Sequence, residues 1–301
     1  GFISTRTGKV TPEVLQSIHF NGTLRDIVDW PQKGILGLGK NEEGETDGFV
    51  FQDINTVVNA YHYRALVLME KIAEVTGHSP DKRFFAERAG LLKKSFNETL
   101  LDKKRGIYVD GWGTDHASLH ANMFPLAFGL VPEKYVKSVT AWIRSRGMAC
   151  SVYGSQFLMD AIYDGNDADY GLQLLTSTSE RSWYNMIRVG STITLEAWDN
   201  KYKPNQDWNH AWGAVPANVI PRKLMGIEPL EPGFSRIRIK PQPSTLEWAE
   251  IRHPVPCGEV KMSFRNHPGV SFVMDLTIPA NSTAQVFLPL FSKRQKVTLD
   301  G

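Results

Sequence analysis

The chain has 301 residues, 42% of them hydrophobic and 22% charged, with a formal net charge of +2. That balance belongs to an ordinary globular protein: no basic block marks a nucleic-acid footprint, and no apolar run approaches the ~18–20 residues a membrane-spanning helix needs. The two cysteines, Cys150 and Cys257, lie far apart and form no metal-ligand pattern.

The first fifty residues, rich in Gly, Thr, Asp and Glu, hold one short predicted helix from Thr11 to Ile18. There Thr11-Pro12-Glu13 supplies a cap and a proline at the first helical position. Asp26 to Pro31 follows, its proline favouring extended backbone at Trp30. The glycine-rich run from Gly34 to Gly48 gathers Glu42, Glu43, Glu45 and Asp47. It reads as a solvated loop, the usual setting for such charge, in preference to a cation site. A long helix is predicted from an N-cap at Asp53 to a stop at Gly77, with Val57, Tyr61, Leu66, Met69 and Ala73 on its apolar face. Ser79-Pro80-Asp81 opens another, carrying Phe85, Leu92 and Phe96. Leu100 to Trp112 reads as a turn or short hairpin with its tip at Lys103 to Gly106. Helices are predicted from Ser118 to Phe128, Pro132 to Arg146, Ser155 to Tyr163 and Asp167 to Leu175. A last one, from Ala214 to Met225, is interrupted by Pro216 and Pro221.

Paired helices with short links form the pattern of an all-α array or barrel, and no close repeat points to a solenoid. From Ile227 the pattern changes. Arg236 to Lys240 and Glu259 to Phe264 alternate strictly, and Pro or Gly punctuates every gap. Short alternating strands at this spacing predict a small antiparallel β-sandwich. The boundary is placed near residue 228, giving a helical domain over 1–227 and a β-sandwich domain over 228–301.

Between the last two predicted helices lies the stretch that carries chemistry, Ser182 to Gly213. It holds Trp183, Trp198, Trp208 and Trp212, half of the chain's eight tryptophans, interleaved with Glu196, Asp199, Asp207 and His210. It lacks long-helix periodicity and reads as a short β-like run, Ser191 to Leu195, between turns. Indoles beside carboxylates suit a carbohydrate: the apolar faces of a sugar ring pack on the rings while its hydroxyls need fixed acceptors. Plain core packing of the tryptophans is an equal reading at this point. Glycoside hydrolysis needs two carboxyl groups astride the bond, and Glu196, at the end of the apolar run, is the best candidate for one. The types alone do not decide acid from base. His210 can bond a sugar hydroxyl or orient a carboxylate, although a lone histidine among tryptophans is more often structural. Asp29-Trp30 is a second acid–indole pair. His116 and His120 have the i, i+4 spacing of a metal-binding pair but no glutamate between them, so a zinc site is disfavoured. No phosphate-cradling loop or serine elbow occurs, and no cofactor is indicated.

Several blocks together resemble the bacterial α-L-rhamnosidases, which have an (α/α)6 six-hairpin barrel followed by a C-terminal β-sandwich. They are Asp29-Trp30-Pro31, Asn55 to Arg64, His120 to Met123, Tyr153 to Phe157, Ser182-Trp183-Tyr184, Thr194 to Asp199, Asn209 to Gly213, Pro232 to Phe234 and Pro279 to Ala284. The resemblance implies inverting hydrolysis of terminal α-L-rhamnose, with Glu196 as general base. It also implies a sugar pocket lined by Asp29, Trp30, Trp183, Trp198, His210 and Trp212. An inverting pair stands ~6.5–9.5 Å apart, leaving room for the attacking water. The family's general acid is a glutamate in an acidic, arginine-bearing block well before the Asp-Trp block, and residues 1–28 hold nothing like it. About eight helices are read here, against about twelve in a closed six-hairpin barrel. The expectation is therefore the C-terminal part of a longer enzyme, the rest of the barrel and the acid coming from upstream sequence. Two alternatives stand beside it. One is a carbohydrate-binding or decayed rhamnosidase-like protein; the other is another sugar enzyme, such as a lyase, on the same barrel. No compartment is fixed, although the periplasm or secretion fits a polysaccharide-degrading bacterium better than the cytoplasm.

Overall fold

The computed structural model describes residues 1–5, 10–22, 26–32, 44–290 and 296–299. Its elements in chain order begin with α1 (Pro12–Ser17), α2 (Thr56–Val75), α3 (Ser79–Thr99), β1 (Leu101–Asp102) and β2 (Ile107–Tyr108). There follow α4 (His120–Ala127), α5 (Glu133–Arg146), α6 (Ser155–Asp164), α7 (Ala168–Leu175), α8 (Trp183–Arg188) and α9 (Val215–Val219). The chain ends with β3 (Ile227–Pro229), β4 (Arg236–Ile239), β5 (Trp248–Val255), β6 (Gly258–His267), β7 (Ser271–Thr277) and β8 (Thr283–Val286). These form two compact units, residues 1–165 with 178–213, and residues 166–177 with 214–301.

The first unit is helical and holds every candidate site residue. Thr11 caps α1, with Pro12 at its first turn. The cap of α2 differs from the expected Asp53. Asn55 takes that place, its Oδ1 accepting the Val57 and Val58 N–H groups at 2.9 and 3.2 Å. Asp53 instead accepts the Thr5 hydroxyl at 2.6 Å. Aromatic rings fill the space between helices: Phe124 of α4 lies 4.9 Å from Tyr61 of α2 and 4.9 Å from Phe157 of α6. Buried Asn122 pins the β1–β2 hairpin by accepting the Tyr108 N–H at 2.9 Å and donating to its carbonyl at 3.0 Å. Asp110, also buried, seats the entry to α4 by accepting N–H groups from Val50 and Ser118, both at 2.8 Å.

Two local expectations are corrected. The acidic run is not a solvated loop where it is described: Glu45 is fully buried. Asp47 accepts the Leu119 N–H at 2.7 Å and pairs with Arg146. Glu42 and Glu43 lie outside the described residues. Nor does Ser191 to Leu195 form a strand. Its polar backbone is satisfied by loop-to-loop bonds, His210 N to Thr194 O at 2.9 Å and Glu196 N to Asp207 O at 3.1 Å, whose spacing builds no regular ladder.

In the second unit α9 runs into a π-helical turn, Ile220–Leu224, closed by the Met225 N–H on the Ile220 carbonyl at 2.8 Å. Pro221, which has no N–H to give, sits inside this widened turn. One sheet has the order β3-β4-β8 and the other β5-β6-β7. All pairings are antiparallel except β4 with β8. β8 returns to β4 only after the chain has built the other sheet, a crossover that permits a parallel neighbour. Alternation decides burial: Ile237 and Ile239 of β4 point inward, as do Val260, Met262, Phe264 and Asn266 of β6.

Candidate active site

The stretch from Ser182 to Gly213 is irregular, yet its backbone is held at nearly every step. Ser182 caps α8 by accepting the Asn185 N–H at 3.2 Å, placing Trp183 at the first helical position. Asn185, buried one turn on, donates to the Trp198 carbonyl at 2.9 Å. The Ala197 N–H reaches Gln206 Oε1 at 2.9 Å. The Trp198 N–H reaches Glu45 Oε1. The Glu196 carbonyl accepts the Trp212 indole N–H at 2.8 Å. Side chains distant in sequence thus replace the ladder a strand would have used.

Glu196 is 9% exposed. Its Oε2 accepts the Asp207 N–H at 2.9 Å and pairs with Lys203 Nζ, also at 2.9 Å. The carboxylate is therefore not adrift in solvent, and the cation that holds it is a lysine in its own loop.

The indoles converge on the same segment. Trp198 is fully buried; its N–H bonds the Cys150 carbonyl at 2.8 Å, and its ring meets Trp183 edge-on at 5.3 Å. Trp183 in turn donates to the Gly213 carbonyl at 3.0 Å. His210 stacks on Trp212 at 4.0 Å, and the Tyr153 ring lies 5.5 Å from that of Trp212. The His210 Nδ1 is buried and has no hydrogen-bond partner among the described residues. Gly213 is required by contact: a Cβ there would lie 2.7 Å from Thr194 Cβ and 2.8 Å from the Leu195 carbonyl. Trp208 is 43% exposed and joins none of these ring pairs among the described residues.

Asp29 is buried and its oxygens are already engaged. Oδ2 accepts from His120 Nε2 at 2.7 Å and from the Ser151 N–H at 2.8 Å; Oδ1 accepts from the Ser151 hydroxyl and from the Trp30 N–H at 2.9 Å. Burial alone would push this carboxyl up, but the bonds from His120 and Ser151 outweigh it and hold Asp29 below the usual range. Gly154 must be glycine here, since a Cβ would meet Asp29 Oδ2 at 2.8 Å. Asp29 therefore braces the neighbouring wall: Ser151 adjoins Cys150, whose carbonyl takes the Trp198 indole. Trp30 stands half-buried beside it, outside the ring pairs formed by the other tryptophans among the described residues. His116 and His120 turn to different carboxylates, Asp110 and Asp29.

The residues that sequence reasoning missed are those that do the holding: Glu45, Lys203, Asn185, Gln206 and Arg181. Arg181 Nη1 reaches the Glu45 carbonyl at 3.1 Å and the Met148 carbonyl at 3.3 Å. For Lys203 the proximity of a lysine to Glu196 in sequence was a usable signal. Nothing local marked Glu45.

Comparison with known proteins agrees with this picture. The family described as bacterial alpha-L-rhamnosidase 6 hairpin glycosidase domain matches residues 10–224, and the bacterial alpha-L-rhamnosidase C-terminal domain matches residues 226–299. An alpha-L-rhamnosidase of Alteromonas sp. (strain LOR) is 28% identical over 87% of this chain and 29% of its own length. An alpha-L-rhamnosidase structure from Dictyoglumus thermophilum superposes with a TM-score of 0.68 at 23% identity, over 78% of this chain and 27% of that one. The Streptomyces avermitilis alpha-L-rhamnosidase solved with L-rhamnose gives 0.64 at 20% identity, over 85% of this chain and 26% of that one. The chain thus spans less than a third of the length of these relatives. With both family domains matched in order across nearly all of it, this chain belongs to the bacterial alpha-L-rhamnosidase six-hairpin glycosidase family.

Proposed function

We propose that this chain carries the general base and part of the sugar pocket of an enzyme that removes terminal non-reducing α-L-rhamnose with inversion. The observation that carries the reading is the seat of Glu196, a nine-tenths-buried carboxylate held by the Asp207 N–H and Lys203, with its backbone carbonyl accepting the Trp212 indole N–H. In this mechanism Glu196 takes a proton from the water that attacks the anomeric carbon. Trp183, Trp212 and His210 form the pocket wall, while Trp198, expected from the sequence to line it, is fully buried and supports that wall from behind through its edge-on contact with Trp183. Trp30 adds apolar surface, and Asp29 acts through His120 and Ser151 to keep the wall in place. The acid that protonates the leaving oxygen is assigned to residues outside this chain, with the rest of the barrel. The boundary near residue 228 belongs to the same proposal, the β-sandwich domain lying beyond it.

The experiment is rhamnoside hydrolysis by the full-length gene product and by its Glu196→Gln variant, with the released sugar followed by NMR. The expected outcome is initial release of the β-anomer and a rate loss of ~10²–10⁴ in the variant, the usual contribution of a positioned acid or base. Retention of the α-configuration, or a variant within about threefold of the wild type, refutes the assignment. The chain alone should bind L-rhamnose without ordinary turnover; full turnover by it would place the acid within these residues.

A further inference from the structure

Tyr153 is 43% exposed, yet its ring is fixed from several directions. It lies 5.5 Å from the Trp212 ring and meets Phe157 edge-on at 5.7 Å. Its hydroxyl shares a hydrogen bond with that of Tyr61. Its backbone stands in a turn secured by the buried carboxylate of Asp29. There the Ser151 N–H reaches Asp29 Oδ2 at 2.8 Å, and the Gly154 N–H reaches Ser151 Oγ at 2.9 Å. Tyr61, Phe124 and Phe157 pack on one another at 4.9 to 5.7 Å without it. Tyr153 lies outside that triangle, with its ring partly in solvent.

An exposed aromatic ring held this firmly is a preformed surface, which takes up a flat partner without first losing side-chain freedom. Its place relative to Glu196 says which partner. Trp212, the ring beside it, donates to the Glu196 carbonyl at 2.8 Å and stacks on His210. Glu196 is nine-tenths buried, and Trp183, His210 and Trp212 are each partly buried, so Tyr153 is the exposed end of this series. A terminal sugar whose anomeric carbon faces Glu196 occupies the enclosed end. The group still attached to its anomeric oxygen then passes over the exposed one.

We propose that Tyr153 is a specificity-determining residue whose exposed ring packs against a ring-bearing leaving group, aryl or pyranose, joined to the terminal rhamnose. This rests on the sugar-site reading above. Both kinds of leaving group offer a flat apolar face to the phenol ring, and the hydroxyl, engaged by Tyr61, serves to hold that ring in place.

The test compares the full-length gene product with its Tyr153→Phe, Tyr153→Leu and Tyr153→Ala variants. Values of kcat/KM are measured on nitrophenyl α-L-rhamnoside and on a rhamnosyl-glucose disaccharide. Competitive inhibition by free L-rhamnose reports on the terminal-sugar pocket alone. Tyr153→Leu and Tyr153→Ala should lose roughly three- to tenfold in kcat/KM on at least one substrate, the usual worth of an aromatic contact. Inhibition by L-rhamnose should stay within about twofold, and Tyr153→Phe, which keeps the ring, should match wild type within about twofold on both substrates. The substrate that loses more identifies the leaving group as aryl or sugar. Leucine fills the space without a flat face, so the loss is read even where the alanine variant fails to fold. Unchanged kcat/KM on both substrates in Tyr153→Leu overturns the proposal. An equal loss in L-rhamnose inhibition also overturns it, since Tyr153 would then support the terminal-sugar pocket instead. If the wild-type enzyme hydrolyses neither substrate, the sugar reading fails and this proposal falls with it; wild-type turnover with an unaffected Tyr153→Leu sinks this proposal alone.

Discussion

Lys203 Nζ lies 2.9 Å from Oε2 of Glu196, with each side chain only 10% exposed. The same oxygen accepts the Asp207 N–H, so two donors from the following loop fix the orientation of the carboxylate before any substrate arrives. Preorganisation of this kind lets a base spend no energy on reorientation during the reaction.

Replacing Lys203 by methionine leaves Glu196 as a nearly buried charge facing apolar atoms. Removing one partner of a buried pair costs about 3–5 kcal/mol, and the residual exposure here places the loss near the lower end, about 3 kcal/mol. Urea unfolding of the variant measures it. A midpoint unchanged from wild type would mean that water, and not Lys203, stabilises the carboxylate.

Asp29 makes a pH prediction with a definite sign. Its pKa is lowered in the fold, so the stability it contributes is fully present above the unfolded value of 3.8 and disappears as pH falls through its lower folded value. Glu45 acts in the opposite direction. Its raised pKa means that the folded state keeps a proton the unfolded state has lost, so stability declines from pH 4.5 to about 8 and is level above that. Thermal midpoints of Asp29→Asn and Glu45→Gln against pH should therefore deviate from wild type in separate windows. Asp29→Asn loses the acid-side slope below 3.8, and Glu45→Gln loses the decline between 4.5 and about 8.

Gly213→Ala should destabilise by about 1–3 kcal/mol, because the added methyl would stand 2.7 Å from Thr194 Cβ, inside packed structure. The strain falls on the turn carrying His210 and Trp212, so L-rhamnose affinity should fall with the thermal midpoint. Unimpaired binding at reduced stability would separate this turn from the sugar pocket.

The start of α2 offers a check on local structure. Asn55→Ala removes the acceptor for two N–H groups and should cost about 1 kcal/mol. Asp53→Ala removes an exposed bond with Thr5 and no cap bond to α2, and should stay within about 0.5 kcal/mol. Parallel chemical unfolding of the two variants distinguishes them, and equal losses would restore Asp53 as the cap.

Much of this protein was legible one segment at a time. Apolar residues at helical spacing marked α2 to α7, Ser79-Pro80 opened α3 where expected, and Lys103 to Gly106 formed the link between β1 and β2. Strict alternation likewise identified β4 and β6. Periodicity reports which face of a segment is apolar, and that is a local property of the chain. Tryptophans set among acids pointed in the same way to the segment around Glu196.

Burial of polar groups was not legible, because it depends on partners far away in sequence. Glu45 sits in a run of glycine and acid that resembles any surface loop, and only the fold brings the Trp198 amide to it from 153 residues away. Asp29 looked like an open acceptor until Ser151 and His120 filled its oxygens from 122 and 91 residues away. The apolar run before Glu196 had the composition of a strand, but the loop opposite it offered isolated acceptors and donors in place of a ladder. The parallel placement of β8 beside β4 has the same origin, since which strand lies next to which is decided when the chain returns. Periodicity and alternation thus marked the helices and the strands, and the quoted motif blocks carried the family resemblance, whereas tertiary contact decided which carboxyls are exposed, which are held and which keep a proton.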